Sequence, residues 1–168
     1  MTRHNGRLAL RAMGAVLVVA VLLVVSAPVP ARAGDCAVPF DGAYTAFSDG
    51  EWAQTGHSYH DEVSLTSTWT VTSTCSDYID CTGQVSSNQG WSARAVCKSG
   101  LWTVTHDVPN WEPCPDGTTA TGKQKFAFQS QTDVTKFDGW DTTLGPSGAC
   151  GVNQWLVVSM PFTLTKRE

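Results

Sequence analysis

From residue 34 onward the chain has almost no helical periodicity and is cut into short runs of Thr, Val, Trp, Phe and Tyr, separated by Gly, Asp, Asn, Ser and Pro. Runs of this kind, alternating between two faces, are the pattern of half-buried strands joined by turns. In Thr66–Thr74 (TSTWTVTST), Trp69 and Val71 fall on one face and Thr68, Thr70 and Thr72 on the other. Gly100–Asp107 (GLWTVTHD) repeats the device, with Trp102 and Val104 inward and Leu101, Thr103 and Thr105 outward. Lys98-Ser99-Gly100 is a tight connection, so a hairpin of 91–98 with 100–107 is expected. Gly122–Gln129 alternates Phe126 and Phe128 with Lys125 and Ala127; Gly42–Ser48 supplies a first strand, and Gln154–Thr165 one or two last ones, interrupted at Pro161. The prediction is an all-β domain: an antiparallel meander of about seven or eight strands, closed as a barrel or stacked as a sandwich. Residues 54–62, 109–121 and 138–153 read as loops, and the Asp-Gly pairs at 41, 49, 116 and 138 as turns.

The first 33 residues have a different composition. Arg3, Arg7 and Arg11 precede an uncharged apolar run, Ala12–Val25, and Ala31-Arg32-Ala33 offers a small-x-small cleavage site. This is the layout of a secretory signal peptide, with the cut expected before Gly34 and a single mature domain over 34–168. A membrane span needs roughly 20 apolar residues, and Pro28 and Pro30 close the run first. Asp35 stands directly before Cys36, where lipid attachment requires a small residue. The expected product is secreted or held in the cell envelope, with no stable membrane anchor. Four of the eleven basic residues leave with the signal while all fifteen acids stay, so the net charge moves from −4 to −8. No basic run survives, which argues against nucleic acid as a partner.

All six cysteines lie after the signal, so disulfides formed in an oxidising compartment are the default expectation. Six cysteines allow 15 pairings. Cys75 and Cys81 bracket a five-residue turn, Ser76–Asp80, and make the most secure pair. Cys114 and Cys150 sit in two long irregular stretches that a bond would pin together, and Cys36 with Cys97 follows by elimination. No CxxC spacing suggests a zinc ribbon or a thioredoxin-type redox centre. A 135-residue mature chain is large enough to bury a core of its own, so the disulfides are expected to add durability to a fold that forms without them.

No catalytic motif survives inspection. His57, His60 and Asp61 are weak candidates for a metal site, because His-x-x-His in a loop does not guarantee convergent ligands. Gly145-Pro146-Ser147-Gly148-Ala149 resembles a nucleophile elbow, but Ala149 stands where glycine is required. Neighbouring acids such as Asp49 with Glu51, or Asp61 with Glu62, are poorly placed for paired-carboxylate chemistry on a strand. Nothing calls for a cofactor. Of the seven tryptophans, Trp69 and Trp102 fit a β core, whereas Trp52, Trp111 and Trp140 lie near Gly, Pro and Asp and are candidates to face a ligand.

With these motifs in view the chain resembles a group of small secreted proteins of mycobacteria and their actinobacterial relatives. The resemblance rests on Trp69–Cys75 (WTVTSTC), Asp80-Cys81-Thr82-Gly83, Gly90-Trp91-Ser92-Ala93 and Trp111–Gly117 (WEPCPDG), and continues in Ser147–Gly151 and Met160-Pro161-Phe162. It implies a compartment, secreted or envelope, and no activity. The reading that follows is a secreted, disulfide-bonded β domain that binds a small molecule or a protein without catalysis. An extracellular hydrolase using acidic residues or His57/His60 is the alternative.

Overall fold

The computed structural model describes residues 35–36, 40–130 and 135–168, so the signal-peptide reading of residues 1–33 lies outside the described residues. Among the described residues ten strands form: β1 (Gly42–Ser48), β2 (Gln54–Thr55), β3 (Ser58–Tyr59), β4 (Leu65–Asp77), β5 (Asp80–Ser87), β6 (Ser92–Lys98), β7 (Leu101–Pro113), β8 (Thr119–Ser130), β9 (Lys136–Leu144) and β10 (Val157–Lys166). Eight of them run antiparallel in the order β1-β4-β5-β6-β7-β8-β9-β10, and β10 returns to β1 through pairs such as Thr45 with Thr165 and Phe47 with Thr163. The meander is therefore a closed barrel, and closure removes the sheet edges that an open meander would expose. Among the described residues no helix is long and apolar enough to cross a membrane.

The predicted faces hold. Tyr44, Trp69, Val71, Trp102, Val104, Phe126 and Phe128 are buried inside the barrel, joined by Phe137, Phe162 and Leu164. One end is plugged by Phe40, which lies 4.8–5.3 Å, ring centre to ring centre, from Tyr44, Trp102, Phe128 and Phe137. Three disulfides join Cys36 to Cys97, Cys75 to Cys81 and Cys114 to Cys150. The first joins Cys36 to Cys97 of β6, and both of its cysteines are fully buried.

Three stretches read as loops are partly strand. Within 54–62, β2 and β3 form a short hairpin. In 109–121, β7 runs on to Pro113 and β8 begins at Thr119, and in 138–153, β9 continues to Leu144. Their Gly, Pro and Asp content hid the alternation, while backbone pairing with long neighbours kept them in the sheet. Asp138-Gly139 is accordingly not a turn. Gly139 lies mid-strand, and a Cβ there would sit 2.0 Å from the Ala127 carbonyl oxygen. Pro161 marks the place where one edge of β10 changes partner, from β1 at residues 162–166 to β2 at residues 158–159. Its missing N–H therefore interrupts no continuous ladder.

Candidate functional site at the open end of the barrel

The same inward parity that gives Trp102 and Val104 on β7 continues to His106 and Val108. On β8 it passes from Phe128 and Phe126 to Gln124 and Gly122, on β9 from Phe137 to Asp141 and Thr143, and on β10 from Phe162 to Met160 and Val158. The barrel interior thus changes character along its axis: aromatic and packed towards the Phe40 plug, polar and incompletely filled towards the other end. An eight-stranded barrel is just wide enough to be filled by side chains or to hold one small ligand, and this one is filled in one half and leaves space in the other.

The open half encloses a cavity of about 590 Å³, a size ordinary for small-molecule sites. Its apolar wall includes Leu65, Trp91, Trp111, Val158 and Met160. Trp91 lies parallel to His106 at 4.0 Å between ring centres and packs edge-on against Trp69 at 5.4 Å. It therefore stands above the packed core as part of the wall.

Trp111 reaches the cavity by a local irregularity. Val108 pairs with Gly122 and Glu112 with Ala120, so β7 carries two more residues than β8 across this stretch. Asn110 takes a left-handed backbone, φ 56°, within the bulge, a conformation Asn tolerates better than most residues. Bulges bend a strand and re-aim its side chains. Gly122 lies directly against the Trp111 ring, and a Cβ there would be 2.7 Å from it and 2.8 Å from the Thr143 methyl. Glycine is what allows the ring to approach the strand this closely.

Beneath the apolar wall is a buried polar group of residues from three strands. Asp141 is only 2% exposed. Its Oδ2 accepts from the Ser48 hydroxyl at 2.7 Å, and the Gln124 amide donates to both carboxyl oxygens at 2.8 and 2.9 Å. Burial pushes the Asp141 carboxyl above its ordinary range, opposed by the Ser48 and Gln124 hydrogen bonds and by nearby His106. At the His106 ring, Nδ1 lies 3.0 Å from the Asp107 backbone oxygen. That oxygen can only accept, so Nδ1 carries a hydrogen, and in the neutral ring Nε2 is the acceptor. Nε2 is buried and has no hydrogen-bond partner among the described residues.

The raised Asp141 pKa has a stability consequence. A carboxyl harder to ionise in the folded than in the unfolded state contributes stability that is complete below its unfolded pKa, near 3.8, and is lost as pH rises through the folded one. Asp141→Asn is therefore expected to raise the melting temperature at neutral pH by a few degrees, with the gap to wild type closing near pH ~4. Thermal scans at both pH values check this. A wild type more stable than the variant at neutral pH would show that Ser48 and Gln124 outweigh burial.

Of the tryptophans singled out from sequence, only Trp111 lines this cavity. Trp52, 66% exposed, lies on a short 3-10 turn, and Trp140, 47% exposed, lies on the outer face of β9. His57 sits in the turn of the exposed β2–β3 hairpin and His60 follows it, approaching Glu62 at 3.2 Å. Neither histidine meets Asp61 in a ligand cluster: no group of three or more potential metal-ligating side chains occurs among the described residues. Trp91, His106, Gln124, Asp141 and Met160 were not anticipated from sequence. For His106 and Gln124 the signal was present: each extends by two residues an inward face already recognised.

No protein-family model matches the chain, and no curated protein matches it significantly. Among solved structures, the monomer form of the M. tuberculosis PknI sensor domain is similar in fold. Its TM-score is 0.56 at 12% sequence identity, over 77% of this chain and 88% of that one.

Proposed function

We propose that the chain is a non-catalytic binding barrel, secreted or held in the cell envelope, which takes a small and largely apolar molecule into its open end. One observation carries this reading: the interior is packed in one half and leaves an aromatic-walled cavity in the other. A core that served stability alone would have filled both halves, because unfilled apolar volume is destabilising. The disulfides fit an oxidising compartment. The name of the structural neighbour, a sensor domain, accords with binding as the purpose of such a fold, although fold alone does not carry function. The hydrolase alternative has less support, since His57 and His60 are exposed on the hairpin and line none of the cavity.

The neutral, environment-sensitive fluorophore N-phenylnaphthylamine tests this reading. Its emission is expected to rise on addition of the folded protein, saturating at one equivalent with micromolar affinity (about −8 kcal/mol). Met160→Arg, which places a long cationic side chain in the cavity wall, is expected to weaken binding at least tenfold while leaving the far-ultraviolet β signal intact. Unchanged probe affinity in a folded Met160→Arg protein would place the binding elsewhere.

A further inference from the structure

We infer that the ligand of the open end carries a hydrogen-bond donor and no negative charge. This rests on the small-molecule reading above and narrows it to a chemical class: neutral or cationic aromatic molecules bearing an O–H or N–H group.

The inference comes from the polarity of the groups the cavity presents. Gln124 must direct its amide nitrogen at Asp141, because the carboxylate only accepts. That orientation leaves the Gln124 carbonyl oxygen as its remaining polar atom, and an oxygen only accepts. His106 uses its Nδ1 hydrogen on the Asp107 carbonyl, so in the neutral ring Nε2 accepts as well. Asp141 adds further acceptor character behind them. Gln124 thus offers an acceptor at the cavity, with the buried and unmatched His106 Nε2 behind the wall, and a ligand group that left the acceptor unmatched would bury polar atoms at a cost.

Charge points the same way. Among the described residues lining the cavity there is no Lys or Arg, and Asp107 lies at its rim. Lys123 is committed to Asp107 at 2.8 Å on the exposed outer side of the sheet. A carboxylate or phosphate entering here would meet an acidic rim and no Lys or Arg to balance its charge, with only neutral donors such as the Thr143 hydroxyl in the lining, whereas an aromatic ring would find the Trp91 and Trp111 faces. The buried carboxyl with its acceptor neighbours therefore selects against anionic amphiphiles such as fatty acids, which the apolar wall alone would admit.

A matched ligand set separates this claim from the parent reading. β-Naphthol, its methyl ether and β-naphthoate share one ring system and differ in offering a donor, no donor, or a negative charge. In competition against N-phenylnaphthylamine at neutral pH, β-naphthol is expected to displace the probe about tenfold more tightly than the ether, with naphthoate the weakest of the three. Gln124→Met and His106→Phe, which keep side-chain bulk and remove the acceptor, are expected to bring the naphthol-to-ether ratio towards one. Equal binding of naphthol and ether, preference for naphthoate, or a ratio unchanged in both variants would overturn the donor requirement while leaving the binding barrel standing. Failure of N-phenylnaphthylamine itself to bind would remove the parent reading instead.

Discussion

Trp69→Ala is expected to destabilise the protein by about 3–5 kcal/mol, the largest effect of any single substitution considered. Trp69 is fully buried at the level where the packed half of the barrel gives way to the cavity. Its ring meets Phe126 at 4.8 Å, Phe162 at 5.3 Å, Trp91 at 5.4 Å and Phe128 at 6.2 Å. Alanine would open a void beneath Trp91 and merge it with the cavity above, so the loss includes both transfer and cavity contributions. A fall in melting temperature of more than about 10 °C is the expected reading. Trp140→Ala, on the outer face, should stay within about 1 kcal/mol of wild type. Trp69→Phe separates shape from polarity. The Trp69 indole N–H is buried without a hydrogen-bond partner among the described residues, so phenylalanine removes an unsatisfied donor and should cost clearly less than alanine. Chemical denaturation of the three variants gives the ranking, and equal losses for Trp69→Ala and Trp140→Ala would contradict the packing account.

Removing the Cys36–Cys97 bond is the second large effect. Its cysteines are 61 residues apart, and closing a loop of that length stabilises by about 4 kcal/mol on the chain-entropy estimate. The Cys114–Cys150 bond, with a separation of 36, is expected to be worth nearly as much by that measure, and Cys75–Cys81, with a separation of 6, only about 2.4 kcal/mol. Position breaks the near tie between the first two. Cys36–Cys97 lies in the same buried core cluster as Phe40, whereas Cys114–Cys150 joins half-buried loops. Cys36→Ala/Cys97→Ala is therefore expected to lose more than Cys114→Ala/Cys150→Ala in denaturant titrations, yet to keep the β signature at low temperature. The pairing of eight strands and the packing of their interior rings are expected to hold without the bond. Complete loss of structure in the first double variant would show that the core is insufficient on its own.

The strands and their faces were legible from residue alternation, because a buried face requires every second residue to be apolar and a slip of one residue would reverse the pattern. Trp69 with Val71, Trp102 with Val104 and Phe126 with Phe128 all point inward as the alternation requires. What distinguishes barrel from sandwich is the pairing of β1 with β10. That contact joins opposite ends of the domain and leaves no local trace, so both closures remained open in the sequence. The cavity was hidden for a related reason. His106, Gln124 and Asp141 are polar residues on strands, which ordinarily signal an outward face, and only strict counting from Trp102, Phe126 and Phe137 places them inside. Trp111 could not be placed by counting at all, since it lies at an odd position within the two-residue bulge around Asn110, where strict alternation does not apply.

The central claim is that the unfilled half of the barrel is a ligand site. Isotope-edited nuclear Overhauser spectra of the protein with bound N-phenylnaphthylamine test it directly. The account predicts contacts from the probe to the Met160 methyl group and to the Trp91 and Trp111 rings, which line the cavity together. Contacts instead to exposed Trp52 or Trp140, with none to Met160, would contradict it.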